Sequence, residues 1–534
     1  MNDYKTEIKE RLDNEEKYRP RLYSRAYLFT DAKLECLDEY PFYGLWNVRQ
    51  VGRYQLITHP DVKAFCIEAN GIQFSLVGHA INPYTEEIDE NKILASLGEA
   101  YASGWDSFLN KLDELTGVFV IIAVRGDDIL GVQDAGGQRM LYFGKVGENV
   151  VITAAPQLAG DVFELERDPE ILRLVSNRGY YRGSGFLPGS KSPYAELKRL
   201  GPNTCVKYVD GKYKIERIFP RAEIGMLKTE EEKAAKIEEM HRVFSTGIDL
   251  AMKKWPRKGL SLTGGMDSKT TFANAKPWYG QFFCFSYISK DSEKLDADAA
   301  AELCRQLGVE HHLYPIPENP DEIEDYDFLQ KIIEQSTSNI GKFHPNEKRK
   351  YITLQRKDDF DVEIKSDMSE VGRAYATRKY YKVNMPQKMH PRHLTIGQAR
   401  YFIEPWCTFY ADRCYDEFMK ETGLVDDIYD VTMHDLSYWE VRMGSWAATS
   451  LASHEYFHEI MIPYNNRNLL KMFLQFPKEE RLQDIPHQRL MDAGNPDVGK
   501  CNISIKDSYF GKKRMLLETV YYYYATRLNL KRGK

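Results

Sequence analysis

The sequence lacks the features that mark exported, membrane-spanning and zinc-ribbon proteins. No stretch reaches the roughly 18 uninterrupted apolar residues of a membrane span, and residues 1–20 contain no apolar segment of a signal peptide. The 8 cysteines include no C-x-x-C pair and no zinc-ribbon spacing, which indicates a reducing compartment. We therefore expect a cytoplasmic protein that does not enter a membrane.

An excess of positive charge is missing as well. The chain has 73 Lys and Arg against 79 Asp and Glu, a net charge of −6, whereas nucleic-acid-binding proteins carry a basic surface. The basic, aromatic segment 511–534 is a local exception, and a solvated helix end explains it as well as an RNA contact does. Nucleic acid is therefore not expected as a partner. The 534 residues are enough for two large domains or three small ones.

The two halves of the chain differ in texture, which predicts domains at residues 1–215 and 220–534. From about residue 40 to 215, short β-rich runs alternate with G-D-D, G-G and D-G turn pairs. Beyond this region the pattern becomes helical, starting where Thr229 can cap a helix and Glu232 can complete a capping box. The polar segment 316–350 is expected to be a mobile loop near the functional site.

Strands and helices alternate after this first helix. The runs GLSLTGG, GQFFCFSYI and HHLYPI have the composition of buried strands, and helical patterns separate them. This alternation predicts a doubly wound parallel sheet, in which ligands bind beyond the carboxyl ends of the strands.

The strongest local signal is the segment SLTGGMDSK, residues 261–269, which lies where a predicted strand turns into a helix. Two glycines allow a tight turn with exposed N–H groups, and the helix adds a positive dipole end, so the segment is suited to phosphate. Asp267 would repel phosphate directly, and it makes sense as a ligand of a bridging Mg²⁺. The segment is not a Walker loop, and a plain glycine turn is the alternative. The predicted nucleotide contacts in it are Ser261, Leu262, Thr263, Gly264, Gly265, Asp267 and Ser268.

The segment resembles the [ST]-G-G-x-D-S loop of the ATP pyrophosphatases, which cleave ATP between the α and β phosphates and transfer AMP to a substrate oxygen. In the same half, Asp296-x-Asp298-x-Ala300 and Glu310-His311-His312 are similar to further segments of asparagine synthetase. Residues 463–466, PYNN, stand where that family has P-F-L-D. The resemblance implies ATP and Mg²⁺ as cofactors and a doubly wound ATP-pyrophosphatase domain with a helical extension.

The N-terminal half resembles the amidotransferase domain of asparagine synthetase. The matching segments are Gly117–Phe119, Gln133–Phe143, Ile152–Ala155 and Leu197–Asn203. The resemblance implies a β-rich sandwich of the N-terminal-nucleophile (Ntn) amidotransferase type. The overall fold class is therefore expected to be α/β combined with α+β.

The sequence departs from that family at its nucleophile. Glutamine-hydrolysing members need an N-terminal Cys whose own amine is the base, whereas this sequence starts Met1-Asn2-Asp3 and has its first cysteine at Cys36. The resemblance therefore points to the β-lactam-synthetase and lasso-cyclase type, which take the amine from a substrate. We expect no glutaminase activity.

The family's acidic segment G-E-G-A-D-E is altered too. Here it is represented by residues 365–370, KSDMSE, in which Ser369 replaces an aspartate that binds Mg²⁺. Asp367 is the expected second metal ligand beside Asp267, and Glu370 is the expected general base. Arg373 and Lys506 are the expected cations for the developing phosphate charge. His487 or Arg489 are alternatives to the family's catalytic lysine.

A competing motif is the literal H-E-x-x-H of residues 454–458. On one helix it would place His454 and His458 on the same face to bind Zn²⁺, with Glu455 as general base. Glu479 or Glu480 could be the third ligand, and the protein would then be a zinc peptidase. The alternative is a packed helix without metal.

The sequence as a whole predicts an ATP-dependent ligase that adenylates a carboxylate and couples it to an amine. Ser286 and Tyr287, at the end of the second predicted strand, are expected to face the adenine. The substrates are expected to be small-molecule or peptide acids and amines. Ammonia-dependent amidation and a nucleotide-binding pseudoenzyme stay open as alternatives, as does a homodimer.

Overall fold

A computed structural model gives the fold of this chain. It describes residues 4–177, 180, 185–338, 345–354, 358–379, 389–396, 405–424, 426–456, 458–501 and 520. Lys506 lies outside these residues. In the described part, no helix is both long enough and apolar enough to span a membrane.

The N-terminal half forms two six-stranded antiparallel sheets. One has the order β10-β8-β9-β1-β3-β2 and the other β12-β11-β7-β6-β5-β4. The strands are β1 Tyr27–Thr30, β2 Asn47–Val51, β3 Tyr54–Thr58, β4 Ala64–Ala69, β5 Ile72–Ile81, β6 Thr116–Arg125, β7 Asp128–Gln133, β8 Tyr142–Val146, β9 Asn149–Thr153, β10 Leu197–Arg199, β11 Thr204–Val209 and β12 Lys212–Arg217. The predicted β-rich character of this region is confirmed.

The two sheets pack face to face, and helices cover their outer faces. In strand β6, Val120 and Ile122 belong to the apolar layer between the sheets, whereas Phe119 and Ile121 contact the layer formed with helices Glu90–Ser103 and Trp105–Asp113. Because both faces of β6 are buried, its sequence is apolar at nearly every position and does not alternate. The outer face of the other sheet packs against helices Lys5–Asn14 and Tyr326–Ser336.

The C-terminal half contains a five-stranded parallel sheet, as the alternating pattern predicted. The strands are β13 Lys258–Ser261, β14 Phe283–Ile288, β15 His312–Pro315, β16 Val362–Ile364 and β17 Glu459–Met461, in the order β15-β14-β13-β16-β17. The chain moves outward in one direction from β13 to β15 and in the other from β16 to β17. Strands β13 and β16 therefore flank the switch point, where doubly wound sheets bind their ligands.

Helices surround this sheet and form the C-terminal extension. The capping box predicted at Thr229 and Glu232 is present at the start of helix Glu230–Lys254. The other α-helices of the described residues are Pro156–Val162, Pro169–Val175, Met266–Asn274, Asp291–Leu307, Pro345–Leu354, Tyr375–Lys379, Pro391–Leu394, Pro405–Thr422, Met433–Ser437, Ala448–His454, Arg467–Leu474, Lys478–Leu482, Ile485–Gly494 and Pro496–Lys500, with a π-helix at Tyr438–Ala447 and 3₁₀ helices at Glu16–Arg21, Lys276–Trp278, Pro320–Glu322 and Ser369–Arg373.

Two sequence predictions need correction. Segment 316–350 is not simply a loop, because it contains helix Tyr326–Ser336 and the start of helix Pro345–Leu354. The apolar side chains of the first helix are buried against the N-terminal half, so its polar composition reflects one exposed face. The H-E-x-x-H motif does not lie on one helix, because the helix ends at His454 and His458 precedes strand β17.

Polar side chains in the loop after β17 join the two halves. The Asn465 side chain donates to the carbonyl oxygen of Gly117 (2.6 Å) and to Asp134 Oδ1 (2.8 Å), and it accepts from the N–H of Gly136 (2.7 Å). A Cβ atom on Gly136 would lie 2.6 Å from Met368 Sδ, so the N-terminal half directly contacts the segment around Asp367.

Candidate functional site

The glycine segment follows strand β13 at the switch point and leads into helix Met266–Asn274. Its N-cap residue, Gly265, makes no side-chain capping bond, so the first N–H groups of this helix lack that type of partner. Thr263 and Ser268 are engaged with each other: their hydroxyl oxygens are 2.9 Å apart, and the Thr263 N–H donates to Ser268 Oγ (3.1 Å). Their hydroxyls therefore shape the loop. Leu262 is buried and extends the strand pairing to Phe285.

Asp267 lies at the start of this helix and is held by the segment after β16. Arg373 donates from Nη1 to Asp267 Oδ1 (2.9 Å) and Oδ2 (2.7 Å), and the Ser369 hydroxyl donates to Oδ1. Arg373 also pairs with Asp484 through Nε (2.8 Å), and Arg378 contacts the same carboxylate. Burial alone would raise the pKa of Asp484, but hydrogen bonds from the two arginines lower it to about 2. The structure thus brings Asp267 and Arg373 together as an ion pair.

Glu370 lies beside this pair with a buried, unbonded carboxyl oxygen. Its Oε2 atom has no hydrogen-bond partner among the described residues. Burial raises the pKa of Glu370 to about 8, and the nearby charges of Asp267 and Asp367 act in the same direction. Three carboxyl groups therefore converge at the switch point, and one of them holds its proton at neutral pH.

Two lysines near this site were not among the cations predicted from the sequence. Lys365 directly follows strand β16, and the charges of Glu363 and then Asp367 raise its pKa against the opposing effect of burial. Lys350 Nζ lies 4.8 Å from the centre of the Tyr287 ring. The position of Lys365 just after a buried strand was a usable signal, because such residues line the edge where ligands bind. Nothing in the local sequence marked Lys350.

Two substitutes considered for the family's lysine do not supply a cation at this site. His487 is fully buried and stacks on Phe473, and burial lowers its pKa to about 4, so the ring is neutral at pH 7. Arg489 pairs with Glu230 (2.8 Å) on the first turn of helix Glu230–Lys254. Among the expected cations that the structure describes, Arg373 alone contacts Asp267.

Ser286 and Tyr287 lie at the end of strand β14, as predicted, and both have protein partners. The Ser286 hydroxyl donates to the carbonyl oxygen of Leu262 (2.6 Å) and lies 2.9 Å from His311 Nε2. The Tyr287 hydroxyl donates to Glu363 Oε1. Ser286 therefore positions the glycine segment from the neighbouring strand, and a contact of either residue with adenine stays a prediction.

The H-E-x-x-H residues separate into two groups. Glu455 forms a buried ion pair with Arg139 of the N-terminal half (2.9 Å), so it is turned away from the histidines. His454 and His458 instead approach Glu363, with Nε2 to Oε2 distances of 3.5 and 2.8 Å. Glu480, a suggested third ligand, pairs with Lys233. This arrangement leaves the zinc-peptidase interpretation without its general base.

The glycine turn and the carboxyl groups beside it suit a nucleoside triphosphate with a divalent cation. The uncapped helix end and glycine turn offer N–H groups to phosphate, and carboxylates are the ligands Mg²⁺ prefers. Burial is the main cause of the raised pKa of Glu370, and a cation near the three carboxyl groups would offset the further rise that comes from the charges of Asp267 and Asp367. The bound cation would compete with Arg373 for the carboxylate of Asp267.

Comparisons with known proteins define no family for this chain. No protein-family model and no curated protein sequence matches it. Among solved structures, it is similar to an allosteric regulatory enzyme of purine biosynthesis at 11% identity, covering 61% of this chain and 88% of that one with a TM-score of 0.25. It is also similar to glutamine phosphoribosylpyrophosphate amidotransferase from B. subtilis, complexed with ADP and GMP (12% identity, 62% and 89% covered, TM-score 0.23). A third is glutamine-dependent NAD⁺ synthetase from Acinetobacter baumannii in complex with ADP (13% identity, 34% and 32% covered, TM-score 0.20).

Proposed function

We propose that this protein is an ATP-dependent ligase that adenylates a carboxylate and couples it to an amine. The observation that carries the proposal is that the glycine turn after β13, which has no side-chain cap, leads directly into Asp267, whose charge and that of Asp367 act on the nearby Glu370. A purely structural turn needs no such convergence of like charges, which is costly without enough positive charge, and of the three carboxyl groups Arg373 pairs with Asp267 alone in the described residues.

We assign a role to each residue from its position. The turn at Gly264 and Gly265 would bind phosphate through backbone N–H groups, while Asp267 and Asp367 would hold Mg²⁺. Arg373 would neutralise phosphate charge once released from Asp267, because it keeps Asp484 as an anchor. Bound ATP would supply the adenylyl group for the acid, and Mg²⁺ would balance the phosphate charge.

Glu370 is the candidate base for the incoming amine. With Mg²⁺ offsetting the charges of Asp267 and Asp367, Glu370 would lose the proton that it holds without the cation and could then accept one from the amine. Its proximity to both aspartates supports this role, because the acyl-adenylate would form beside the Mg²⁺ that they would hold. The donor is a substrate amine or, in the alternative, ammonia.

The decisive experiment is ATP–pyrophosphate exchange against a panel of acids and short peptides. The wild-type chain should exchange pyrophosphate in the presence of its acid, and Asp267→Ala should abolish exchange while it remains folded. Asp416→Ala is the matched control, since Asp416 is a surface residue that pairs with Lys420. Retained exchange in folded Asp267→Ala would refute the assignment of the glycine segment.

A nucleotide-binding pseudoenzyme is the second candidate, favoured by the Arg373 ion pair that already occupies Asp267. Equilibrium dialysis with labelled ATP separates the two. Nucleotide binding without exchange for any acid would support the pseudoenzyme, and exchange would exclude it.

A further inference from the structure

Three buried side chains converge on the opposite side of strand β16 from its apolar residues. They are Glu363, His454 and His458, and one ligand atom from each lies within 4.8 Å of the others. His458 Nε2 is 2.8 Å and His454 Nε2 is 3.5 Å from the same carboxylate oxygen, Glu363 Oε2. The two imidazoles come from either side of the chain turn that enters β17.

The second observation is that His454 has a polar atom aimed into this cluster without a hydrogen bond. His454 is only 4% exposed, and its Nε2 atom is among the buried atoms that have no partner in the described residues. A buried ring nitrogen left unpaired costs about 1–3 kcal/mol. A neutral imidazole nitrogen in that state can act as a metal ligand.

The carboxylate is oriented from its other side. The Tyr287 hydroxyl donates to Glu363 Oε1, and Lys365 Nζ lies 3.4 Å from the same oxygen. These partners leave Oε2 to face the two histidines. Partners of this kind, which fix a ligand through its other atom, are typical of metal centres.

Two imidazoles and one carboxylate form a donor set that suits Zn²⁺. Tetrahedral zinc, at about 2.0–2.2 Å from nitrogen and oxygen ligands, needs those ligands roughly 3.3 Å apart. The two nitrogen–oxygen distances in the structure, 2.8 and 3.5 Å, bracket that spacing. Metal binding would replace the hydrogen bond between His458 and Glu363 and would give His454 a partner.

We propose that Glu363, His454 and His458 form a Zn²⁺ site that joins strand β16 to the turn before strand β17. This site differs from the peptidase suggested by the sequence motif. Its third ligand, Glu363, lies far before the motif in the chain, 95 positions from His458. The glutamate of the motif, Glu455, is held by Arg139 and takes no part.

The test is zinc binding to the intact chain, measured by elemental analysis after dialysis against Zn²⁺ and desalting. Wild type should retain about one zinc per chain, and Co²⁺ in its place should give the visible absorption of a tetrahedral site. His454→Gln and Glu363→Gln should each weaken zinc binding by about 100-fold or more. Loss of a residue that only supports a metal ligand already weakens binding by up to about that factor.

Two controls separate this site from the motif and from general histidine binding. Glu480→Gln should retain zinc, because Glu480 pairs with Lys233, and His312→Gln removes a partly exposed histidine elsewhere. If Glu363→Gln fails to fold, His454→Gln still decides, because His454 Nε2 has no hydrogen bond to lose. The proposal is overturned if wild type retains no zinc, or if folded His454→Gln retains as much.

Discussion

Replacing Glu370 with glutamine should make the stability of this protein less sensitive to rising pH. Burial, and then the charges of Asp267 and Asp367, raise the pKa of Glu370 from 4.5 to about 8 in the folded state. Between those pH values the folded protein keeps a proton that the unfolded chain has lost. Stability from this group is therefore complete below about pH 4.5 and is lost as pH rises through about 8. Glutamine imitates the protonated form and does not titrate.

The size of the effect follows from the interval between the two pKa values. Each pH unit is worth about 1.4 kcal/mol for one proton, so the full effect would approach about 5 kcal/mol. Glu370 is only partly buried as a whole residue, although its Oε2 atom is enclosed. Because solvent screens part of the charge, we expect about 2 kcal/mol between pH 5 and pH 8.

Thermal unfolding of the wild type and Glu370→Gln across this pH range measures the effect. The melting temperature of the variant minus that of the wild type should increase by about 4 °C from pH 5 to pH 8. Glu302→Gln is the control, since the pKa of this partly exposed glutamate is lowered to about 2 by its hydrogen bond to Arg305 and it titrates outside the range. The reasoning would be refuted if the melting-temperature difference between Glu370→Gln and the wild type stayed as constant from pH 5 to pH 8 as that of Glu302→Gln.

Three further outcomes are expected. Asp367→Asn should weaken pyrophosphate exchange, whereas Glu370→Gln should leave exchange working and slow amide formation by about 10²- to 10⁴-fold; equal full amide synthesis in both would contradict these roles. Arg467→Met should lower the free energy of unfolding by about 3 kcal/mol, because Arg467 is 2% exposed and its loss leaves a buried carboxylate with less charge compensation. Gly372→Ala should cost about 1–3 kcal/mol, since its Cβ would lie 2.7 Å from the Phe473 ring, while Gly247→Ala, with nothing within 4 Å, should stabilise its helix by about 0.5–1 kcal/mol. Urea unfolding checks both, and an equal response of the two glycines would be evidence against the packing argument.

Much of the local structure could be predicted from short-range patterns. Thr229 and Glu232 form the predicted capping box, and the turn between β11 and β12 has positive φ at Asp210 (51°) and Gly211 (74°), as the D-G pair indicated. These features depend on residues within a few positions of each other. The prediction failed at segment 316–350 because its helix Tyr326–Ser336 buries only one face, and that face is covered by a distant part of the chain.

The candidate site was predictable in part. Asp267 was selected from its position after a predicted strand, whereas Asp367 and Glu370 were selected from the resemblance of segment 365–370 to a family motif. The structure brings the charges of all three close together at the switch point. The Arg373 ion pair with Asp267 was not predicted, and these residues are 106 positions apart. The same holds for Glu363 and His458, which are 95 positions apart.

By itself, the sequence determined where several strands and helices lie, where a phosphate-binding turn could form, and that β13 to β15 belong to a parallel sheet, because these properties follow from local periodicity and turn chemistry. Tertiary structure alone decided which charged groups meet. It turned Glu455 toward Arg139, brought both histidines to Glu363 and placed Arg373 on Asp267. Ion pairs and ligand sets between distant segments depend on how the sheet orders its strands, and no local pattern in the chain encodes that order.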